Sequence, residues 1–370
     1  MRKLFGKLHL YLGIPLGIFI TIVCLSGAIL VFREEIRELT HPERYFVPSS
    51  PQTEALPLDD LVQRVERELG GDPVTSITIP RDPQRTLQMR TKGGGRTTLY
   101  INPYTAEIQE MAERSSSDFF SQVMALHRRL LGERGGIGRE IVGYSTLGLV
   151  LLLITGLVLW FPRSKRQLKA SLTIKTSASR QRLWRDLHNV LGFYLTLGLL
   201  VLALTGLYYS PIQWVREGIN SLTASSEGET HPRQGERRRT HGQPPSETPH
   251  FEHWQRALDQ LRELEPKAAK ITLEPSEASV SHYDGWGTTR ASNEYAIDPQ
   301  TGLATLVQRY SDQPLQAKVR GWIYTLHVGA WGGIWSKLLT CAIALLGSSL
   351  PITGYYLFVI KRKRRKPSTR

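Results

Sequence analysis

The hydropathy pattern divides the chain before any motif does. Four stretches, Leu10 to Phe32, Ile141 to Phe161, Leu187 to Val215 and Leu338 to Ile360, carry no Asp, Glu, Lys or Arg. A bilayer core about 30 Å thick needs about 20 residues of helix, so each stretch is long enough to cross it. We place the spans at 10–32, 141–161, 188–212 and 338–360. Between spans one and two the period changes: Leu58, Leu61, Val62, Val65 and Leu69 recur at helical spacing, and Gly70-Gly71 stops them. Alternating runs follow, Val74 to Ile79, Thr86 to Arg90 and Thr97 to Asn102, separated by Arg81-Asp82-Pro83 and Gly93-Gly94-Gly95, which read as hairpins. A helix at Phe251 to Leu264 and strands at Ile271 to Glu274, Ala278 to Tyr283 and Asn293 to Asp298 repeat this order between spans three and four. Each segment reads as a small α+β module, the first within 33–140 and the second within 213–337. Residues 221–249 have almost no apolar content and read as a disordered insertion.

The two halves correspond in detail. Leu8-His9 opens span one as Leu187-His188 opens span three, with Gly13 and Gly192 four residues on, and with Ser26-Gly27 matching Thr205-Gly206. The step from His9 to Gly27 equals that from His188 to Gly206, 18 residues, or about five turns and roughly 27 Å on one helix face. A helix over Phe119 to Leu131 carries His127 ahead of Gly135-Gly136-Ile137, and His327 precedes Gly332-Gly333-Ile334 in the same way. Thr353-Gly354 stands in span four where Thr155-Gly156 stands in span two. The predicted architecture is therefore a membrane α-helical four-span bundle from two tandem parallel repeats, with the repeat axis along the membrane normal.

Composition refines this picture. The mean hydropathy of −0.24 over 370 residues hides the segregation, and the net charge of +14 is concentrated. Three Lys/Arg precede the first span, eight lie between Arg163 and Arg185 and seven follow the last, against a single acid, Asp186. Lys and Arg crowded into short flanks are the positive-inside signature. It puts 1–9, 162–187 and 361–370 in the cytoplasm and both α+β modules outside it, and it makes a nucleic-acid face unnecessary. The first span is too long for a signal peptide, and Arg33-Glu34-Glu35 follows it without a small-residue cleavage site. Only Cys24 and Cys341 occur, both within spans, which excludes a disulfide framework, a zinc knuckle and covalent haem attachment.

Four histidines stand out from the ten because they recur: His9 with His188 at one membrane edge and His127 with His327 at the other. Neutral imidazoles on facing helices hold haem iron without covalent attachment, and two on one iron leave an electron-transfer centre with no open coordination position. The spans contain no Asp or Glu to complete a zinc or copper site. Gly13 and Gly192, one turn past their histidines, could admit a flat macrocycle or serve close helix packing. No dinucleotide, Walker, zincin or nucleophile-elbow motif is present, so electrons would come from another protein or a membrane-soluble carrier.

Taken together, Lys7-Leu8-His9 with Gly13 and Ser26-Gly27, Leu126-His127, Thr155-Gly156-Leu157 with Trp160-Phe161-Pro162-Arg163, and the modules ending in Asn102-Pro103 and Asp298-Pro299 resemble the PepSY-associated transmembrane helix family of bacterial iron-regulated inner-membrane proteins. Family members of this architecture include haem-containing ferric-siderophore reductases. The resemblance implies an inner-membrane protein that binds two haems b non-covalently and reduces a ferric siderophore on the periplasmic side to release Fe(II); repeat symmetry assigns one haem to His9 with His188 and the other to His127 with His327, and a crossed pairing is an alternative. His41 is an alternative ligand. Arg128, Arg129, Tyr283, Trp286, Trp331 and Trp335 are among the outward residues that could meet the siderophore, and none is assigned a catalytic role. Two other readings remain at this point: a peptide-binding or protease-regulating membrane protein, and a siderophore permease component.

Overall fold

In the computed structural model, which describes residues 1–47, 54–95, 97–112, 118–162, 164–223 and 251–363, the chain runs in order through α1 (Arg2–Val31), α2 (Arg33–Thr40), α3 (Pro42–Tyr45), α4 (Leu58–Glu68), β1 (Val74–Pro80), β2 (Leu87–Thr91), β3 (Thr98–Ile101), β4 (Ile108–Ala112), α5 (Phe119–Arg129), α6 (Ile137–Trp160), α7 (Lys165–Ser171), α8 (Arg180–Tyr208), α9 (Gln213–Thr223), α10 (Trp254–Leu264), β5 (Lys270–Glu274), β6 (Glu277–Ser281), β7 (Ser292–Ile297), β8 (Ala304–Gln308), α11 (Leu315–Val328) and α12 (Gly333–Lys363). It forms two compact units. One contains Met1–Arg33, Ser116–Leu222 and Trp322–Arg370, and the other contains Glu34–Ser115 and Thr223–Gly321.

The first unit is helical. α1, α6, α8 and α12 are each long and apolar enough to cross a membrane. α1 packs on α6 and α12, and α8 packs on the same two, so α1 and α8 occupy opposite corners of a four-helix arrangement. Three of the four helices start well before their apolar stretches. α1 begins at Arg2, α8 at Arg180 and α12 at Gly333; in α1 and α8 Lys, Arg and Gln favour helix and carry it past the point where hydropathy falls. His9 and His188 therefore lie about two turns inside their helices. Close approach is built in where glycine faces a neighbour: a Cβ on Gly17 would lie 2.7 Å from the Tyr355 hydroxyl, and one on Gly198 would lie 2.5 Å from Ile343. The Tyr355 hydroxyl also donates to the Ile14 carbonyl at 2.6 Å, tying α12 to α1. α5 packs on α1 and α6.

The second unit is built on one antiparallel sheet of eight strands in the order β4-β3-β2-β1-β5-β6-β7-β8. The two expected modules are thus halves of one sheet. They join where Ile77 pairs with Leu273 and Ile79 with Ile271 across β1 and β5. A single buried core crosses that joint, with Leu61, Val65, Ile77, Met89 and Ile101 from one half and Trp254, Leu261, Leu273, Val280 and Ile297 from the other. The helices are linked as well. Asp59 in α4 accepts from the Trp254 and Gln255 amides at the start of α10, and Gln255 Oε1 accepts from the Leu58 amide at the start of α4. Each helix thereby satisfies N-terminal amides of the other.

Each half has one strand more than its sequence pattern predicts. β4 and β8 return after matching turns in which Asn102 Oδ1 accepts from the Tyr104 amide and Asp298 Oδ1 from the Gln300 amide. Ala106 and Gly302 occupy the left-handed region in these turns, with φ of 66° and 70°. The segment that follows α2 contains the short helix α3. The insertion expected at 221–249 begins with the last residues of α9, and the remainder lies outside the described residues.

Candidate functional site

The four recurring histidines all fall in the helical unit, and each is held by a helix other than its own. His9 of α1 places Nδ1 2.9 Å from Thr155 Oγ1 on α6, with the Leu152 backbone as a further partner. His188 of α8 places Nδ1 2.8 Å from Thr353 Oγ1 and 3.1 Å from the Leu350 carbonyl on α12. His127 of α5 places Nδ1 2.9 Å from the Val23 carbonyl and 3.2 Å from Ser26 Oγ on α1. His327 of α11 places Nδ1 3.1 Å from Thr205 Oγ1 on α8, with the Leu202 backbone beside it. In every case the hydroxyl stands three residues after the backbone partner, on the same helix turn.

These partners decide the tautomer. A carbonyl oxygen can only accept, so the proton must sit on Nδ1. The hydroxyls cannot supply it, since each donates back into its own helix: Ser26 to Ile22, Thr155 to Leu151, Thr205 to Val201 and Thr353 to Leu350, at 2.7 to 2.8 Å. All four imidazoles are therefore Nδ1–H donors, and in the neutral ring that leaves the lone pair on Nε2. His127 and His327 lie outside the spans. Burial holds both below the ordinary histidine value, His327 at about 4, so both are neutral at physiological pH.

The residue after each hydroxyl is glycine, and it lies against the ring edge. A Cβ there would stand 3.0 Å from the Cε1 of His127 at Gly27, 3.1 Å from that of His327 at Gly206, 3.3 Å from that of His9 at Gly156 and 3.5 Å from that of His188 at Gly354. The chain turns sharply after His127 and after His327. Leu130 and Leu131 take positive φ past the end of α5, and Gly329, at φ 73°, does so past the end of α11.

Held in this way, the rings meet in two pairs. The centroids of His9 and His188 are 6.2 Å apart with planes at 88°, and those of His127 and His327 are 6.2 Å apart with planes at 50°. A metal–imidazole bond of about 2.0 Å plus about 1.1 Å from ring nitrogen to centroid puts two trans imidazoles on one metal about 6 Å apart. Ser26 and Thr205 lie 17 residues beyond His9 and His188 along α1 and α8, so the two pairs are separated by about 25 Å of helix. The donor set is two neutral imidazoles. Among the described residues no group of three or more His, Cys, Asp or Glu converges on a metal position. A bare zinc or copper ion wants more ligands than this, whereas an iron already held equatorially by a macrocycle needs two.

The other predicted residues are placed differently. Cβ atoms on Gly13 and Gly192 would touch Leu152 and Leu350 at 3.7 and 4.0 Å, ordinary contact distances. His41 belongs to the sheet unit, with Nδ1 3.5 Å from Glu43. His282 bonds Glu265 there. Tyr209, which the sequence reading did not single out, has its ring 6.0 Å from that of His327. Its position one turn past the aligned Thr205-Gly206 was the available signal.

The chain matches the family described as PepSY-associated TM region over residues 7–361, a stretch that takes in all four histidines. No curated protein matches it. With four apolar helices of membrane-crossing length and a family match over nearly its whole length, the chain is a multi-pass membrane protein and belongs to the PepSY-associated TM region family.

Proposed function

We propose that this protein is a di-haem electron-transfer protein of the bacterial inner membrane that reduces a ferric siderophore on the periplasmic side and releases Fe(II) for uptake. One observation carries the reading: two pairs of histidines with ring centroids 6.2 Å apart, each ring held through Nδ1 by a neighbouring helix, an arrangement that would leave Nε2 of the neutral ring for a metal. His9 and His188 would hold one haem b, and His127 and His327 the other. When bound, haem would supply a one-electron Fe(III)/Fe(II) couple. The histidines would hold and orient that group, and the apolar helices around them would exclude water.

The basic flanks support a cytoplasmic position for the His9 and His188 end. Electrons would enter there from a cytoplasmic or membrane-soluble donor and leave at the His127 and His327 end. We further read the fold as two parallel repeats, each a helix pair with half of the sheet as a PepSY module. Hard oxygen donors of the hydroxamate and catecholate kind hold Fe(III) much more firmly than Fe(II), so a single electron frees the metal.

The purified protein in detergent is expected to show a Soret band and a reduced α-band. Absence of both would dispose of the haem reading. After reduction by dithionite, a ferric hydroxamate or ferric catecholate is expected to reoxidise it. If no ferric siderophore in a panel of both classes does so, the acceptor is of another kind.

A further inference from the structure

We propose that the four hydroxyl–glycine pairs, Ser26-Gly27, Thr155-Gly156, Thr205-Gly206 and Thr353-Gly354, are positioning residues that fix the tautomer and ring plane of His127, His9, His327 and His188 respectively. The purpose assigned to them rests on the haem reading above, and their effect on the rings rests on geometry alone. A neutral imidazole in water favours the proton on Nε2, the nitrogen a metal would need here. The backbone carbonyl reverses that preference, but one acceptor leaves the ring free to turn about the N–H···O line. The hydroxyl supplies a second acceptor on the same helix turn, 2.8 to 3.2 Å from Nδ1 in the four cases. Two acceptors at different angles fix the ring plane, and outer partners of this kind set ligand orientation at metal centres. At Gly27, Gly206 and Gly156, where a Cβ would stand 3.0 to 3.3 Å from the ring, the glycine lets the ring edge come close enough to reach both acceptors, whereas at Gly354 the clearance of 3.5 Å leaves the positioning to the hydroxyl. Each pair lies on a helix adjacent to the ligand's own, so ligand geometry is a property of helix packing.

The two centres are then unlike. The planes of His9 and His188 cross at 88°, and those of His127 and His327 at 50°. Axial imidazoles set perpendicular give low-spin ferric haem a strongly axial electron paramagnetic resonance (EPR) signal with a very large first g value. A smaller angle gives a more rhombic signal.

The test uses the full chain in lipid nanodiscs, labelled with 15N in its histidine rings and kept reduced so that low-spin iron is diamagnetic. Nuclear magnetic resonance (NMR) of the wild type is expected to show four imidazoles protonated at Nδ1. Thr353→Val keeps the side-chain shape and removes the acceptor, and it should shift the His188 Nδ1–H resonance while sparing the other three. In the oxidised protein, T353V should move only the more axial EPR signal and Thr205→Val only the more rhombic one, with Thr353→Ser restoring the wild-type spectrum. If the four rings carry their protons on Nε2, or T353V changes neither spectrum of a pigmented protein, the positioning role is overturned. Nδ1-protonated rings that respond to T353V in a protein without pigment would support the positioning role and overturn the haem reading.

Discussion

At the scale of single residues, ligand assignment and ligand support can be tested separately. Replacing His9 or His188 by Ala should remove one haem equivalent and leave the other, and His127→Ala or His327→Ala should do the same at the opposite end. His41→Ala should leave both, since that side chain lies against Glu43 in the sheet unit. Loss of neither equivalent in H9A or H188A would contradict the inner pairing. The supporting glycines are expected to grade by clearance. Gly27→Ala and Gly206→Ala put a methyl 3.0 and 3.1 Å from a ring carbon and should displace it, whereas Gly354→Ala, at 3.5 Å, should be tolerated. Haem retention on dilution is the readout, and equal retention in G27A and G354A would contradict the grading. The histidine pairs were legible because repetition at matched spacing separates four residues from ten. The spacing from His9 to Gly27 also pointed at the depth of His127. What it could not convey is that each hydroxyl serves a ligand on another helix, because face-to-face partners are chosen by packing.

At the scale of elements, the sheet shows where local signals end. Strands β1 to β3 and β5 to β7 alternate and were readable. β4 and β8 were not, since Ile-Gln-Glu-Met-Ala and Ala-Thr-Leu-Val-Gln bury little and lack a clean period of two. Nothing near Ile77 announces that it pairs with Leu273. The joint makes the halves interdependent, so Asp59→Ala, which frees the first amides of α10, should loosen both. A cap of this kind is worth about 1 kcal/mol. Hydrogen exchange should quicken in β1 and β5 together, and quickening confined to α10 would argue against a shared core. A second prediction concerns pH. Burial opposes ionisation of Glu265, but hydrogen bonds from Tyr295, Asn293 and His282 outweigh it, and the carboxyl titrates below its ordinary value. With the folded pKa below the unfolded value of about 4.3, the stabilisation is complete above that value and fades as pH falls through the folded pKa. Opening at β7 amides, read as the exchange rate divided by the intrinsic rate at each pH, should rise on acidification from about pH 6 to about pH 3, and this rise should be flattened in Glu265→Gln. The same slope in both proteins would remove Glu265 from the account.

At the scale of the whole molecule, hydropathy marked the four helices and the family match spans them, so multi-pass membrane character is the firmest feature. The number of units was legible only in part: two modules were expected, and one sheet unit exists beside the helical unit. The proposed function rests on two histidine pairs within the helical unit, about 25 Å apart along its helices. That account makes a stoichiometric claim, which pyridine haemochrome analysis of the purified full chain tests most directly. Two haems b per chain are expected in the wild type, one in His9→Ala and one in His127→Ala, with the reduced α-band halved in each. A wild-type protein without haem, or one whose haem content is unchanged in both variants, would contradict it.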